Sequence, residues 1–265
     1  MKTVVITGGT RGIGAVMVHS FLIKGWRVIF CGSTEESVHE ARKELMGRFS
    51  DEKYLLVQCD VSKQEDVEKL WYEAIRVSGR VDIWVNNAGM TNERASFNEL
   101  MLKKIKRVID TNLTGLMMTT HIVYNRMKEQ GRGAIYNMEG LGSDGRTVPG
   151  LVPYGTTKRA VRYFTDAFAK EVENGPVIVG TISPGMVMTD MLLDPLKKHP
   201  EKNKDAAKIY NILADEPETV APWLVDQMIN NKKNGAKIAW LTRAKAFKRF
   251  ALSPFRRRDI VSKYL

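Results

Sequence analysis

The sequence predicts a single doubly wound α/β domain, a parallel sheet of about seven strands with helices on both faces, followed by a basic C-terminal extension. Three observations predict it. Short apolar runs alternate with longer amphipathic stretches. A glycine-rich turn joins the first run to the first stretch. No internal repeat, low-complexity segment or linker divides the 265 residues, a length that one core can serve.

In chain order, the apolar runs predict strands at 3–7, 26–31, 54–59, 81–86, 133–137, 177–183 and 237–241. Amphipathic periodicity predicts helices near 12–24, 35–49, 63–78, 99–129, 154–173 and 217–231. Such alternation builds βαβ units with right-handed crossovers. The stretch from about 188 to 215 breaks the rhythm with prolines, charges and the apolar cluster Met188, Met191, Leu192 and Leu193. An insertion there, after a strand and over the carboxyl edge of the sheet, forms one wall of a ligand site.

Met1 to Val5 leads straight into the first strand, so no leader peptide is expected, and no run of ~18 apolar residues suggests a membrane span. Cys31 and Cys59 each close an apolar run, where buried reduced thiols are expected over a disulfide; this favours a cytoplasmic protein. The histidines, His19, His39, His121 and His199, are scattered without ligand spacing, and no metal site is expected.

The first strand runs into Thr7-Gly8-Gly9-Thr10-Arg11-Gly12-Ile13-Gly14 and then a helical pattern. Glycines at 8, 12 and 14 allow a tight turn, close approach to a pyrophosphate and close helix–strand packing, while the helix N-terminus offers free N–H groups to the anion. This is the Rossmann-like dinucleotide signature. The second strand ends Cys31-Gly32-Ser33-Thr34 without the acid that takes a ribose 2′-hydroxyl. Ser33, Thr34 and Arg11 suit a 2′-phosphate, which favours NADPH over NADH. Asp60, with Val61 beside it, either takes an adenine amino group or caps a loop. In Asn86-Asn87-Ala88-Gly89 the asparagines can stitch strands together, and the small residues admit a cofactor.

Tyr154-Gly-Thr-Thr-Lys158 puts a phenol and an ammonium one helical turn apart. The ammonium is expected to favour the phenolate and lower the tyrosine pKa, making it a proton donor. With Thr7–Gly14, Asn86–Gly89, Asn112 and Ser183-Pro-Gly-Met-Val-Met-Thr189, this set resembles the short-chain dehydrogenase/reductase family over about the first 190 residues. The resemblance implies that Tyr154 is the general acid and that Lys158 binds the nicotinamide ribose. It implies that Asn112 kinks its helix and holds a relay water. Pro184, Gly185, Val187 and Thr189 would border the nicotinamide and diphosphate. The family usually has a serine 13 or 14 residues before the tyrosine; here those positions are Leu141 and Gly140. Ser143 or loop N–H groups are the candidate replacements. Glu139 beside them is expected to bond backbone or substrate.

Asn137-Met-Glu-Gly-Leu-Gly-Ser143, the Tyr154 motif, the Ser183–Leu193 run and the stretch Ile209–Ala221 further resemble the chlorophyll b reductase branch over roughly 137–250. That implies reduction of a formyl group on a flat, apolar tetrapyrrole; a steroid, quinone or acyl ketone would suit the apolar 186–193 cluster equally. A homodimer or homotetramer is implied too. Residues 1–242 are then the reductase domain and 243–265 the extension.

The net charge of +11 is concentrated: Lys232–Leu265 holds eleven Lys/Arg against Asp259 alone, a balance of +10. Phe247 and Phe250 share one face of a short helical pattern in Arg243–Leu252. Either they pack on the body or a neighbouring subunit with the charges outward, or the helix rests on an anionic membrane. A nucleic-acid role lacks a supporting fold.

Overall fold

The computed structural model describes residues 1–198 and 204–264. His199 and part of the 188–215 segment lie outside the described residues. Seven strands form one parallel sheet in the order β3-β2-β1-β4-β5-β6-β7. They are β1 (Thr3–Ile6), β2 (Arg27–Gly32), β3 (Tyr54–Gln58), β4 (Ile83–Asn86), β5 (Gly133–Met138), β6 (Val177–Ser183) and β7 (Lys237–Ala239). Every pairing is parallel, as the strand–helix alternation predicts.

Strand residues alternate between two cores because successive side chains leave opposite faces. Val4 and Ile6 point to one side, with Met17 and Phe21 of α1 (Gly12–Ile23), Leu45 of α2 (Glu35–Leu45) and Leu224 further along the chain. Val5, Ile29 and Trp84 point to the other, with Leu70 and Trp71 of α3 (Gln64–Ser78). Both faces are covered, so the strands read as continuous apolar runs. The sheet order reverses between β1 and β4, which opens a crevice at their carboxyl ends.

The helix expected over 99–129 is interrupted. It runs as α4 (Leu102–Ile109), a π-type turn at Asp110–Thr114, and α5 (Gly115–Glu129). Asn112 sits in that turn, and its side-chain bonds to a neighbouring loop accompany the wider coil. The next helix, α6 (Val152–Glu171), opens with a proline in its first turn. The segment after β6 holds two helices, α7 (Asp190–Lys198) and α8 (Lys204–Leu213), rather than an irregular loop. Then come α9 (Pro217–Asn230), carrying Leu224, and α10 (Arg243–Leu252).

The C-terminal extension is tied to the body by its arginines, not its phenylalanines. Asp215 is buried and accepts from Trp240 Nε1 at 2.6 Å, Arg249 Nη2 at 3.0 Å and Arg258 Nη2 at 2.8 Å. The same two guanidiniums cap α8 through the carbonyls of Ile212, Leu213 and Ala214. Burial works to raise the Asp215 carboxyl, but hydrogen bonds from Arg249 and Trp240 and the Arg249 charge hold it below the ordinary carboxylate value. Phe247 and Phe250 stay exposed, so of the alternatives weighed for them packing on the body is not the one taken, and Phe255 is exposed with them. Asp215→Ala would leave two partly buried cations without their anion. We expect a loss of about 3 kcal/mol in urea unfolding and faster trypsin cleavage at Arg256 and Arg257.

Candidate active site

The site is assembled at the carboxyl ends of β1, β4, β5 and β6. At β1, Gly8 has φ +62°, and a Cβ there would lie 2.8 Å from Ala88 Cα. A Cβ at Gly14 would meet the Gly8 carbonyl oxygen at 2.2 Å. Glycine is therefore required at both. The first turn of α1 has no side-chain cap and no acid, leaving its N–H groups open toward the loop. Thr189 closes the other side, its Cγ2 3.4 Å from where a Gly12 Cβ would stand. This cradle, which side chains would fill and cannot, fits a nucleotide diphosphate. Gly185 turns at φ +75° directly against Leu241. Val187 is buried and pairs with Asp215 by a bridge.

Asn87 serves the loop itself: its Nδ2 donates to Thr7 O at 2.9 Å and Gly8 O at 2.8 Å. Thr7 Oγ1 accepts from the Asn87 and Ala88 N–H groups, a role sequence reading missed. Asn86 stitches strands as expected, donating to Asn137 Oδ1 at 2.8 Å and Thr120 Oγ1 at 3.0 Å. Asp60 Oδ1 accepts from Ser62 N and Oγ in the loop past β3, and Val61 beside it is buried. Ser33 and Thr34 lie exposed past β2, with Thr34 Oγ1 capping α2. Arg11 is exposed, with Thr10 and Ile13 flanking the turn.

Tyr154 stands in the first turn of α6, held by its N–H donating to Asn92 Oδ1 at 3.3 Å and by Thr157 Oγ1 donating to its carbonyl at 2.7 Å. Lys158, one turn on, is buried and donates from Nζ to Met138 O at 3.0 Å. Gly89 lies between Asn112 and Lys158: a Cβ there would stand 3.3 Å from Asn112 Oδ1 and 3.6 Å from Lys158 Nζ. Asn112 is fully buried, accepting from Met90 N and donating to Met90 O and Thr157 Oγ1. The structure thus brings Tyr154, Lys158, Asn112 and the glycine loop to one crevice.

The electrostatics differ from expectation. Burial pushes the Tyr154 hydroxyl up to about 12, so its pKa is raised rather than lowered by Lys158. Lys158 Nζ sits 5.9 Å from the tyrosine ring centroid and is itself brought down to about 8 by burial, with Glu139 opposing. Both groups are shifted toward their neutral forms.

At Gly140, one of the two positions where the family usually has serine, the phenol stands close by. A Cβ at Gly140 would fall 2.4 Å from Tyr154 Oη, so the phenol occupies that space. Ser143 is buried and donates to Glu139 Oε2 at 3.1 Å, which also pairs with Arg162 Nη1 at 3.2 Å. Glu139 therefore bonds two side chains, not backbone. Arg162 was missed, although its position two turns after Tyr154 on α6 places it on the same helix face. Of the apolar cluster, Met188 and Leu193 are buried in a small separate core with Tyr210 and Val261. Met191 is left exposed. A cavity of 230 Å³ lined by Met90, Asn92, Lys104 and Arg107 opens beside the loop that anchors Tyr154.

A family model described as short chain dehydrogenase matches residues 2–199. The chain is 37% identical over 257 residues to a probable chlorophyll(ide) b reductase, chloroplastic, of Arabidopsis thaliana, covering 91% of this chain and 51% of that one. It is 35% identical over 257 residues to a chlorophyll(ide) b reductase, chloroplastic, of Oryza sativa subsp. japonica, covering 93% and 73%. The chain thus spans about half the length of the first relative. A solved actinorhodin polyketide ketoreductase with NADPH superposes with a TM-score of 0.80 at 25% identity, covering 92% of this chain and 97% of that one.

The Lys158 shift has a pH signature. Below pH of about 8 the folded and unfolded chains both carry the ammonium, and the folded state bears its whole desolvation cost. As pH rises from there toward the ordinary lysine value, the folded chain releases its proton first and stability increases. Lys158→Met removes the cost. The variant should be more stable than the parent by ~2 kcal/mol at neutral pH, a gap that closes toward pH ~10; denaturant unfolding across that range measures it.

Proposed function

The chain belongs to the short chain dehydrogenase family, and from that premise we propose that it is an NADPH-dependent carbonyl reductase, acting on the formyl group of a chlorophyll b-like tetrapyrrole to give hydroxymethyl. The observation that carries the reductase reading is the convergence of Tyr154, Lys158 and Asn112 beside the glycine cradle. The substrate reading is supported by 37% identity to a relative of that name across 91% of this chain.

A nicotinamide nucleotide, when bound, supplies the hydride. The glycine cradle and the open N–H groups of α1 would hold its diphosphate, and Arg11, Ser33 and Thr34 its 2′-phosphate. Tyr154 gives its proton to the carbonyl oxygen, which takes the π electron pair as the new C–H bond forms. Its proton is fully loaded at neutral pH because burial raises its pKa. Lys158, brought down to about 8 and donating to Met138 O, would return a proton from solvent to the phenol through water rather than by a direct bond. Asn112 keeps Met90 and Thr157 in place around the lysine. Ser143 donates to Glu139 and would serve the carbonyl only by turning away from it. Exposed Leu102, Ile109 and Met117 on α4 and α5 support a homodimer or homotetramer.

Tyr154→Phe should lower chlorophyll b reduction at least about a hundredfold while NADPH binding, followed by fluorescence, is retained. Unchanged turnover sinks the reductase reading; turnover of simple aldehydes with inert tetrapyrroles makes the protein a general carbonyl reductase. Arg11→Ala should raise the KM for NADPH about tenfold and leave that for NADH unchanged. An NADH preference in the parent chain overturns the cofactor assignment.

A further inference from the structure

Helix α10 is turned the opposite way from a helix that serves its own core. Its polar residues face the body: Lys245 Nζ lies 3.2 Å from the Trp240 ring centroid, and Arg249 bonds Asp215. Its apolar residues face out. Phe247 is 76% exposed and Phe250 46%, and the turn that follows adds Leu252 at 38% and Phe255 at 86%. Exposed Arg243, Lys248, Arg256 and Arg257 ring these side chains. Three outward phenylalanines within nine residues are not a random scatter of surface apolar groups.

Charge selects the occupant. Residues 243–258 hold no acid, and Arg243, Lys248, Arg256 and Arg257 lie exposed there, so two copies of this face repel each other. Nucleic acid would answer the charge but leave Ala251 and Leu252 without an apolar partner. An anionic bilayer answers both, with phosphates for the guanidiniums and an acyl boundary for the rings. Among the described residues no helix is long and apolar enough to cross a membrane. We propose that α10 and the turn through Arg257 form a docking face for an anionic lipid surface. This holds for any substrate and does not rest on the tetrapyrrole reading.

Co-sedimentation with vesicles of phosphatidylcholine and phosphatidylglycerol tests it. The parent chain should pellet with mixed vesicles, less so at high salt, and stay in solution with phosphatidylcholine alone. Replacing Phe247, Phe250 and Phe255 together with alanine should weaken partitioning at least about tenfold, and Arg256→Gln with Arg257→Gln about tenfold. These side chains are exposed, so thermal unfolding should not change in either variant. The proposal is overturned if the parent chain ignores anionic vesicles or if the triple variant pellets equally well. It is also overturned if the parent chain is an oligomer that the triple variant dissociates, or if duplex DNA displaces the vesicles and its own binding needs the phenylalanines.

Discussion

A pair of cross-strand amides holds the site in register. Asn86 and Asn137 are directly opposed at the ends of β4 and β5 and share a 2.8 Å hydrogen bond. Around them, Trp84 Nε1 and Thr120 complete Asn86, while Asn137 Nδ2 donates to Thr165 on α6 at 2.9 Å. Each member lies where water does not reach, so an unmade bond would be costly. Thr165 is two turns beyond Lys158 on the same helix face, and Met138, which follows Asn137, accepts the lysine ammonium. The lattice therefore sets the height of α6 against β5. On its other side, Asn87 follows Asn86 and clamps the glycine loop through Thr7 and Gly8. One buried network thus positions both the glycine loop and the helix that carries Tyr154.

At Gly140 the missing side chain leaves room for the phenol. Tyr154 Oη stands in the volume that a side chain at 140 would need. The hydroxyl at Ser143 is bound by Glu139, and that carboxylate is neutralised by Arg162 while its Oε1 has no hydrogen-bond partner. A buried anion close to a developing oxyanion would oppose it unless a cation stands nearby. Arg162 pairs with Glu139, and the Glu139 charge favours the Lys158 ammonium in turn, so the buried carboxylate has cations to compensate it.

The strands and the glycine loop were legible because their causes are local: a run buried on both faces reads as apolar, and a crowded turn reads as glycine. The interruption at Asn112 was not, because amphipathic periodicity passes through a single widened turn almost unchanged. The Tyr154 shift was misjudged because spacing on a helix gives proximity but not direction; Lys158 reaches to Met138 rather than to the phenol, and burial decides. The orientation of the extension stayed open in the sequence for a related reason. Periodicity says which residues share a face, not which face turns inward. Asp215, 34 residues before Arg249, made that choice.

That choice joins the tail to the crevice. The carboxyl end of α8 carries free carbonyls and the negative end of its dipole, and Arg249 and Arg258 satisfy both. Asn211 binds the tail in turn, accepting from the Ile260 and Val261 N–H groups, and Val261 fills the small core under Met188 and Tyr210. Met186 and Met188 exchange backbone bonds with Asp215, so the strand leaving β6 shares the same anchor. The wall of the site is therefore not stable on the strength of its own short helices, which are too brief to persist alone. Its position is set together with the basic tail, whose two arginines tie α10 and the turn after it to the end of α8.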